Sequence, residues 1–268
     1  MFQQPFDFKD ETDALHALIA PLDDAALKQK TAFKGWTIDD VIGHLHFWNQ
    51  AADLSLADPA AFEKTGAEVM AFLGGGGALR QFETRWLDGL RGRALVAAWV
   101  RFAAEMTERF AAADPSRRVK WVGPDMSVRS AITARLMETW AHGQAIYDRL
   151  GVVRRNTDRI PNIAVLGVNT YDWSFRVHGQ RPPQPKPHVR LTAPSGAIWT
   201  WNEPSETDLV EGSAEAFCQV VTQVRNVADT RLKAEGAAAV AWMANAQCFA
   251  GPPETPPAPG ARRIAAPA

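Results

Sequence analysis

The apolar residues of this 268-residue chain change their spacing once, and the change divides what it can fold into. Up to about residue 155 they recur at intervals of three and four, the period of a helix with one buried face. Beyond about residue 160 they alternate, the period of a strand. Leu15, Leu18, Ile19 and Leu22 predict a first helix over about 10–30, with Pro21 inside it as a kink or a break. Thr37, with Asp40 three residues on, reads as the cap of a second helix. That helix carries Val41, His44, Leu45, Trp48 and Ala52 on one face and ends near Ala57-Asp58-Pro59. The next segment, about 60–77, closes on Gly74-Gly75-Gly76-Gly77. It reads as a flexible loop, and no Lys-Ser/Thr follows to make it a phosphate cradle. Leu87, Leu90, Leu95, Trp99, Phe102, Met106 and Phe110 predict a third, long helix over about 79–113, weakened by Gly89 and Gly92 and stopped by Asp114-Pro115. Residues 119–123 are extended, and a fourth helix over 127–150 stops at Gly151. Four long helices with short or moderate connections predict a bundle.

After residue 160, residues 171–177 alternate with period two, as do Val189-Arg190-Leu191-Thr192 and Ile198-Trp199-Thr200-Trp201. These predict strands, the last two a hairpin closed by Pro194-Ser195-Gly196, with Leu209-Val210 as a further strand. Ser213 caps a helix to about 227, and a last helix covers about 236–249. The expected organisation is therefore a helical bundle over 1–155, a polar linker at Arg154-Arg155-Asn156-Thr157-Asp158, an α+β domain over 165–250, and a Pro- and Ala-rich disordered tail over 251–268.

A hydrophobic content of 46% supports a real core. The formal net charge of −1 gives no reason to expect nucleic acid or an anionic membrane surface as a partner. No apolar run approaches the ~20 residues that span a bilayer, and Met1-Phe2-Gln3-Gln4-Pro5 lacks a basic region followed by an apolar one. Two cysteines, Cys218 and Cys248, are too few for a disulfide framework and read as small core residues of a cytoplasmic protein.

The candidate chemistry lies in three residues. Glu138 and His142 are four apart on the fourth helix and project from one face. By itself such a pair is often only a surface pair. Here it shares its face with Ala131, Ala134, Ala141 and Ala145, whereas Arg135, Asp148 and Arg149 partly mark other faces. A stripe of small residues predicts close approach of another helix, and a carboxylate buried there needs a positive partner. His44, flanked by Val41, Leu45 and Trp48, also points inward. Two imidazoles and one carboxylate make a facial set for a divalent ion with positions left for water or substrate. His46 is about 200° round the helix from His44 and is left out. His16 has no partner motif, and His178 and His188 flank a proline-rich loop.

Gly35-Trp36-Thr37-x-x-Asp40-Val41-x-x-His44-Leu45, with Glu138-x-Trp140-x-His142-Gly143 much later, resembles the DinB-like metalloprotein superfamily. More closely, it is similar to the two-domain, mycothiol-dependent maleylpyruvate isomerase-like branch. The resemblance covers about 1–250. It implies a DinB-like four-helix bundle holding a divalent metal, most often zinc, through His44, Glu138 and His142, and a smaller sterol-carrier-like α+β domain. It further implies an isomerase or transferase that binds a low-molecular-weight thiol such as mycothiol at the metal and acts on a small organic acid or an activated acyl or electrophilic compound. The branch places an arginine near the C-terminus, but Ala246-Gln247-Cys248-Phe249 has none. Arg225 is the candidate replacement as an anion-binding catalytic residue, with a solvated helix residue as the other reading, and Arg176 is a weaker candidate. Two other functions fit the same residues: a metal-dependent hydrolase or lyase that needs no thiol, and a lipid- or acyl-binding module with a structural metal. The expected partner is a small molecule, with a homodimer as the candidate assembly.

Overall fold

The computed structural model describes residues 2–262 and divides into two units between Arg149 and Leu150. The first unit is helical: α1 (Gln4–Ile19), α2 (Asp24–Leu27), α3 (Ile38–Ala57), α4 (Pro59–Gly74), α5 (Leu79–Trp86) and α6 (Gly92–Ala112), then a two-residue hairpin β1 (Arg118–Val119) and β2 (Met126–Ser127), then α7 (Val128–Leu150), which runs up to the boundary. Helix α3 starts where the sequence predicts. Asp40 N–H donates to Thr37 Oγ1 at 3.0 Å, and Thr37 N–H donates to Asp40 Oδ2 at 3.0 Å. Two otherwise unpaired donors are satisfied by that exchange. Its body is apolar nearly all round, with Val41, Ile42, Leu45 and Phe47 fully buried, because α3 packs against α4, α5 and α6. Leu95, Trp99, Ala103, Met106 and Phe110 form the buried stripe of α6, and Ile132, Leu136 and Trp140 that of α7. Each of the large side chains among them contributes about 1.5–3 kcal/mol by leaving water.

Several sequence expectations give way. Helix α1 begins at Gln4, with Pro5 in its first turn where a missing N–H is harmless. It stops before Pro21, and Asp23 caps the separate α2. The segment before the glycine tract is helical, as α4, capped by Asp58. The long helix expected over 79–113 is two helices, because Asp88 (φ 44°), Gly89 (φ 83°) and Gly92 (φ 61°) turn the chain between α5 and α6 through left-handed backbone. At Gly92 a Cβ would stand 2.4 Å from Asp24 Oδ1, while its N–H donates to Asp39 Oδ1 at 2.8 Å. The corner so made presses on α3 at Gly43, where a Cβ would meet Leu87 Cδ1 at 2.8 Å. That close approach carries α5 against the face of α3 that bears His44.

The second unit is α+β. Helices α8 (Pro161–Asn169) and α9 (Tyr171–Arg176) precede β3 (His188–Thr192), β4 (Ile198–Trp201), β5 (Leu209–Ser213), α10 (Ala214–Val221), β6 (Lys233–Glu235) and α11 (Ala237–Asn245). The sheet order is β4-β3-β5-β6. The expected hairpin is present, with Leu191 opposite Trp199, whereas β3 and β5 run parallel, with Val189 beside Val210. Val189, Leu191, Val210, Phe217 and Trp242 are its buried centre. Ser213 caps α10 as expected, its Oγ accepting from Ala216 N–H at 3.1 Å. The strand expected at 171–177 is instead α9. Tyr171, Ser174 and Phe175 are its buried residues, a one-turn spacing, and the Tyr171 ring lies 5.0 Å from that of Trp242. Seven residues fit both periods, so packing decides.

The tail expected to be disordered is fastened over its described part. Gln223 Nε2 donates to Glu254 O at 3.1 Å, Asn226 Nδ2 to Pro257 O at 2.9 Å, and Arg262 Nη1 to Gln223 O at 2.8 Å. A composition rule weighs what a segment can bury and misses carbonyls that buried donors elsewhere require. Residues 263–268 lie outside the described residues. Among the described residues, no helix is long and apolar enough to cross a membrane.

Candidate metal centre

Helix α7 presents Glu138 and His142 one turn apart, and α3 brings His44 to meet them. Glu138 Oε2 lies 3.0 Å from His142 Nε2 and 3.6 Å from His44 Nε2. Ligand atoms of the three residues all lie within 4.8 Å of one another. Two donors bound at about 2.0–2.1 Å to one tetrahedral ion stand about 3.3 Å apart, so the observed separations bracket what one ion needs. The donor set, two imidazole nitrogens and a carboxylate oxygen, suits zinc or a neighbouring divalent ion and fills three positions only. The three residues could therefore hold one such ion between them.

The surroundings are aromatic. The turn before α3 reverses through Lys34 (φ 49°) and Gly35 (φ 69°), and this sets Phe33 and Trp36 against the imidazoles. The Trp36 ring is parallel to that of His142 at 6.0 Å and meets His44 edge-on at 5.3 Å, while Phe33 meets His142 edge-on at 4.9 Å. Such walls thin out water and strengthen any charge interaction inside them.

Behind His44 stands a residue that sequence reasoning missed. Glu83 of α5 is buried, and its Oε1 lies 2.8 Å from His44 Nδ1 and accepts from Trp48 Nε1 at 3.0 Å. Nothing in Leu79-Arg80-Gln81-Phe82-Glu83 marks it, since a glutamate among arginines reads as a solvated helix face. The sequence reading sets Arg135 partly on another face. The structure corrects this: Arg135 is 2% exposed and its Nε donates to Asn49 Oδ1 at 3.0 Å. The signal was present, because Arg135, Glu138 and His142 follow at three and four, the spacing of one buried stripe.

The electrostatics follow from this packing. Burial disfavours the charged form of His44, but the carboxylates of Glu83 and Glu138 outweigh it and raise the imidazole to about 9. Glu138 is held well below the usual carboxylate range: burial opposes this, and hydrogen bonds from His142 and His44 prevail. His142 is lowered by burial, which its bond to Glu138 only partly offsets. Burial lowers Arg135 to about 10, partly countered by Glu138 and Glu83.

The remaining candidates lie elsewhere. His46 packs its ring against Trp86 and Phe102, with Nε2 3.1 Å from Gln50 Nε2, and burial lowers it to about 4. His16 lies on α1, and His178 and His188 lie in the second unit. Arg225 and Arg176 also belong to the second unit, and Arg225 is buried with Nη1 donating to Val224 O at 3.2 Å. Cys218 and Cys248 are buried thiols not joined in a disulfide.

Residues 8–147, a span that contains His44, Glu83, Glu138 and His142, match the family described as the mycothiol maleylpyruvate isomerase N-terminal domain. Uncharacterised proteins from two strains of Mycobacterium tuberculosis are each 39% identical over 249 residues, covering 92% of this chain and 95% of the relative. In fold, the chain is similar to a crystal structure of the mycothiol-dependent maleylpyruvate isomerase, with a TM-score of 0.54 at 16% identity over 87% of this chain and 91% of that one. A histidine-to-alanine mutant of the isomerase gives a TM-score of 0.52 at the same identity, over 83% and 88%.

Proposed function

This chain belongs to the mycothiol maleylpyruvate isomerase family, and on that premise we propose that it is a metal-dependent enzyme that works with a low-molecular-weight thiol. His44, His142 and Glu138 hold the ion, zinc by preference, and their convergence on one carboxylate oxygen is the observation that carries the reading. The ion, when bound, supplies Lewis acidity that makes a coordinated thiol or water a nucleophile near neutral pH. Two nitrogens and one oxygen leave a position open for a sulfur ligand, which borderline-soft zinc accepts.

The protein's own groups do the rest. Glu138 supplies the negative charge that holds a cation in a buried place. Phe33 and Trp36 line the imidazoles and would limit water at the position a thiol takes. Arg225, in the second unit, is the candidate that binds a carboxylate or other anion of the substrate. The substrate class is a small organic acid or an activated acyl or electrophilic compound, and the reaction an isomerisation or a transfer. The thiol is of the mycothiol kind.

The test begins with protein treated with chelator and reloaded with zinc. Elemental analysis is expected to find one equivalent in the wild type and none in Glu138→Ala. A screen of small electrophilic acids, run with and without mycothiol, is expected to find turnover only with the thiol and the metal together. Unchanged metal content in Glu138→Ala overturns the metal site, and equal turnover without any thiol overturns the thiol.

A further inference from the structure

We propose that Glu83 is the positioning residue for His44: its carboxylate accepts a hydrogen bond from the imidazole Nδ1–H and so turns the Nε2 lone pair of the neutral ring toward Glu138 and His142. The proposal rests on the metal reading above and adds a residue to it from a helix that contributes no ligand.

The geometry is specific. Neutral imidazole carries its proton on one nitrogen and offers the other as a ligand, and the hydrogen bond made by the protonated nitrogen selects which. His44 Nδ1 has Glu83 Oε1 at 2.8 Å, and Nε2 has Glu138 Oε2 at 3.6 Å. With its Nδ1 proton held toward Glu83, a neutral His44 keeps Nε2, on the side of Glu138, as the nitrogen that can bind an ion. Trp48, one turn after His44 on α3, donates its indole N–H to the same Oε1 at 3.0 Å. A carboxylate oxygen fixed by two donors from one helix face cannot swing aside without leaving both unpaired. Side chains that hold metal-ligating histidines in this way fix ring orientation and raise ligand basicity.

A structural bridge between α3 and α5 is a poor account of Glu83. The residue is 2% exposed, and burying a carboxylate is expensive unless it is fully partnered. Among the described residues, its Oε2 is buried with no hydrogen-bond partner. An apolar residue would join the two helices with less penalty. The fold also goes to some length to put it there. Left-handed backbone at Asp88, Gly89 and Gly92 separates α5 from α6, and Gly43 lets the corner at Leu87 approach α3.

The experiment measures zinc affinity by competition with a chromophoric chelator, and the visible absorption of cobalt-loaded protein. It compares wild type, Glu83→Ala, Glu83→Gln and Trp48→Phe, with Glu138→Ala as the control for the site itself. Far-UV circular dichroism and melting of the metal-free proteins establish that each variant is folded. Glu83→Ala is expected to keep one equivalent of metal but bind it about 10- to 100-fold more weakly, with shifted cobalt bands. Glu83→Gln keeps an acceptor oxygen and loses the charge, so an intermediate loss is expected. It also carries the test should Glu83→Ala fail to fold. Trp48→Phe is expected to weaken binding less, in the same direction. Wild-type affinity and an unchanged cobalt spectrum in folded Glu83→Ala, or in Glu83→Gln should only that variant fold, would show Glu83 to be structural and overturn this proposal alone. A wild-type protein that takes up no ion would overturn the metal reading, and this proposal with it.

Discussion

Metal uptake by this protein should release one proton per site near pH 7, and the reason lies in the unequal environments of its three donors. Glu138 is held well below the usual carboxylate range and His142 is lowered to its neutral form, so neither carries a releasable proton there. His44 is raised to about 9 by Glu83 and Glu138 acting against burial, so it does. An ion must displace that proton, because it binds the lone pair of a neutral imidazole. Two pH units separate 7 from about 9, which weakens the apparent affinity at pH 7 by on the order of 100-fold, or about 3 kcal/mol. The apparent Kd should fall about tenfold per pH unit up to about 9 and level off above it. The same displacement sets the stability of the chelator-treated protein. A histidine raised from 6.5 to about 9 contributes about 3 kcal/mol. That contribution is fully present below pH 6.5 and is lost as the pH rises through 9, so melting temperature should drop over this interval without metal. Titration calorimetry in buffers of different ionisation enthalpy counts the protons directly. A count near zero at pH 7, or a Kd flat from pH 6.5 to 9, would refute the assignment of charge within the cluster.

Three smaller effects follow from the packing. Thr37→Ala removes the side chain that caps α3 and should destabilise the protein by about 1 kcal/mol in urea unfolding. Gly43→Ala gains helix propensity but drives a methyl to within 2.8 Å of Leu87 Cδ1. Overpacking at about 1–3 kcal/mol outweighs a gain of about 1, so the variant should be less stable, and zinc affinity should fall as α5 shifts. Cys218 and Cys248 are buried and burial raises the Cys218 thiol, so neither should react with a thiol reagent until the chain is unfolded.

What the sequence made legible was whatever repeats at short range. The α3 cap, the Glu138–His142 pair and the β3–β4 hairpin are each written within a few residues, and the structure has all three. The choice of His44 over His46 rested on helix phase, and the two imidazoles do lie on different sides of α3. What escaped depends on contacts between distant segments. Glu83 looks like any surface glutamate until the turn at Asp88 and Gly89 folds α5 back. The 171–177 segment fits a strand until Trp242 packs against Tyr171. Arg135 was legible by spacing, but a buried arginine is rare enough that its charge argued it outward.

Arg135 also bears on what completes the site. With neutral imidazoles, a doubly charged ion beside Glu83, Glu138 and Arg135 leaves this buried layer with one net positive charge. A single anion at the open position closes the balance, and a thiolate meets that requirement where a neutral thiol does not. Arg135 acts here through charge, since its Nε bond goes to Asn49 and not to a ligand. Arg135→Lys should therefore keep the affinity of the metal-loaded protein for a probe anion such as azide. Arg135→Gln should weaken it by on the order of tenfold, the scale of one charge acting through a partly screened interior. Cobalt-loaded protein titrated with azide reads both variants. Equal affinity in wild type and a folded Arg135→Gln would mean that this charge does not reach the open position, and the preference for an anionic ligand would then have to come from the ion alone.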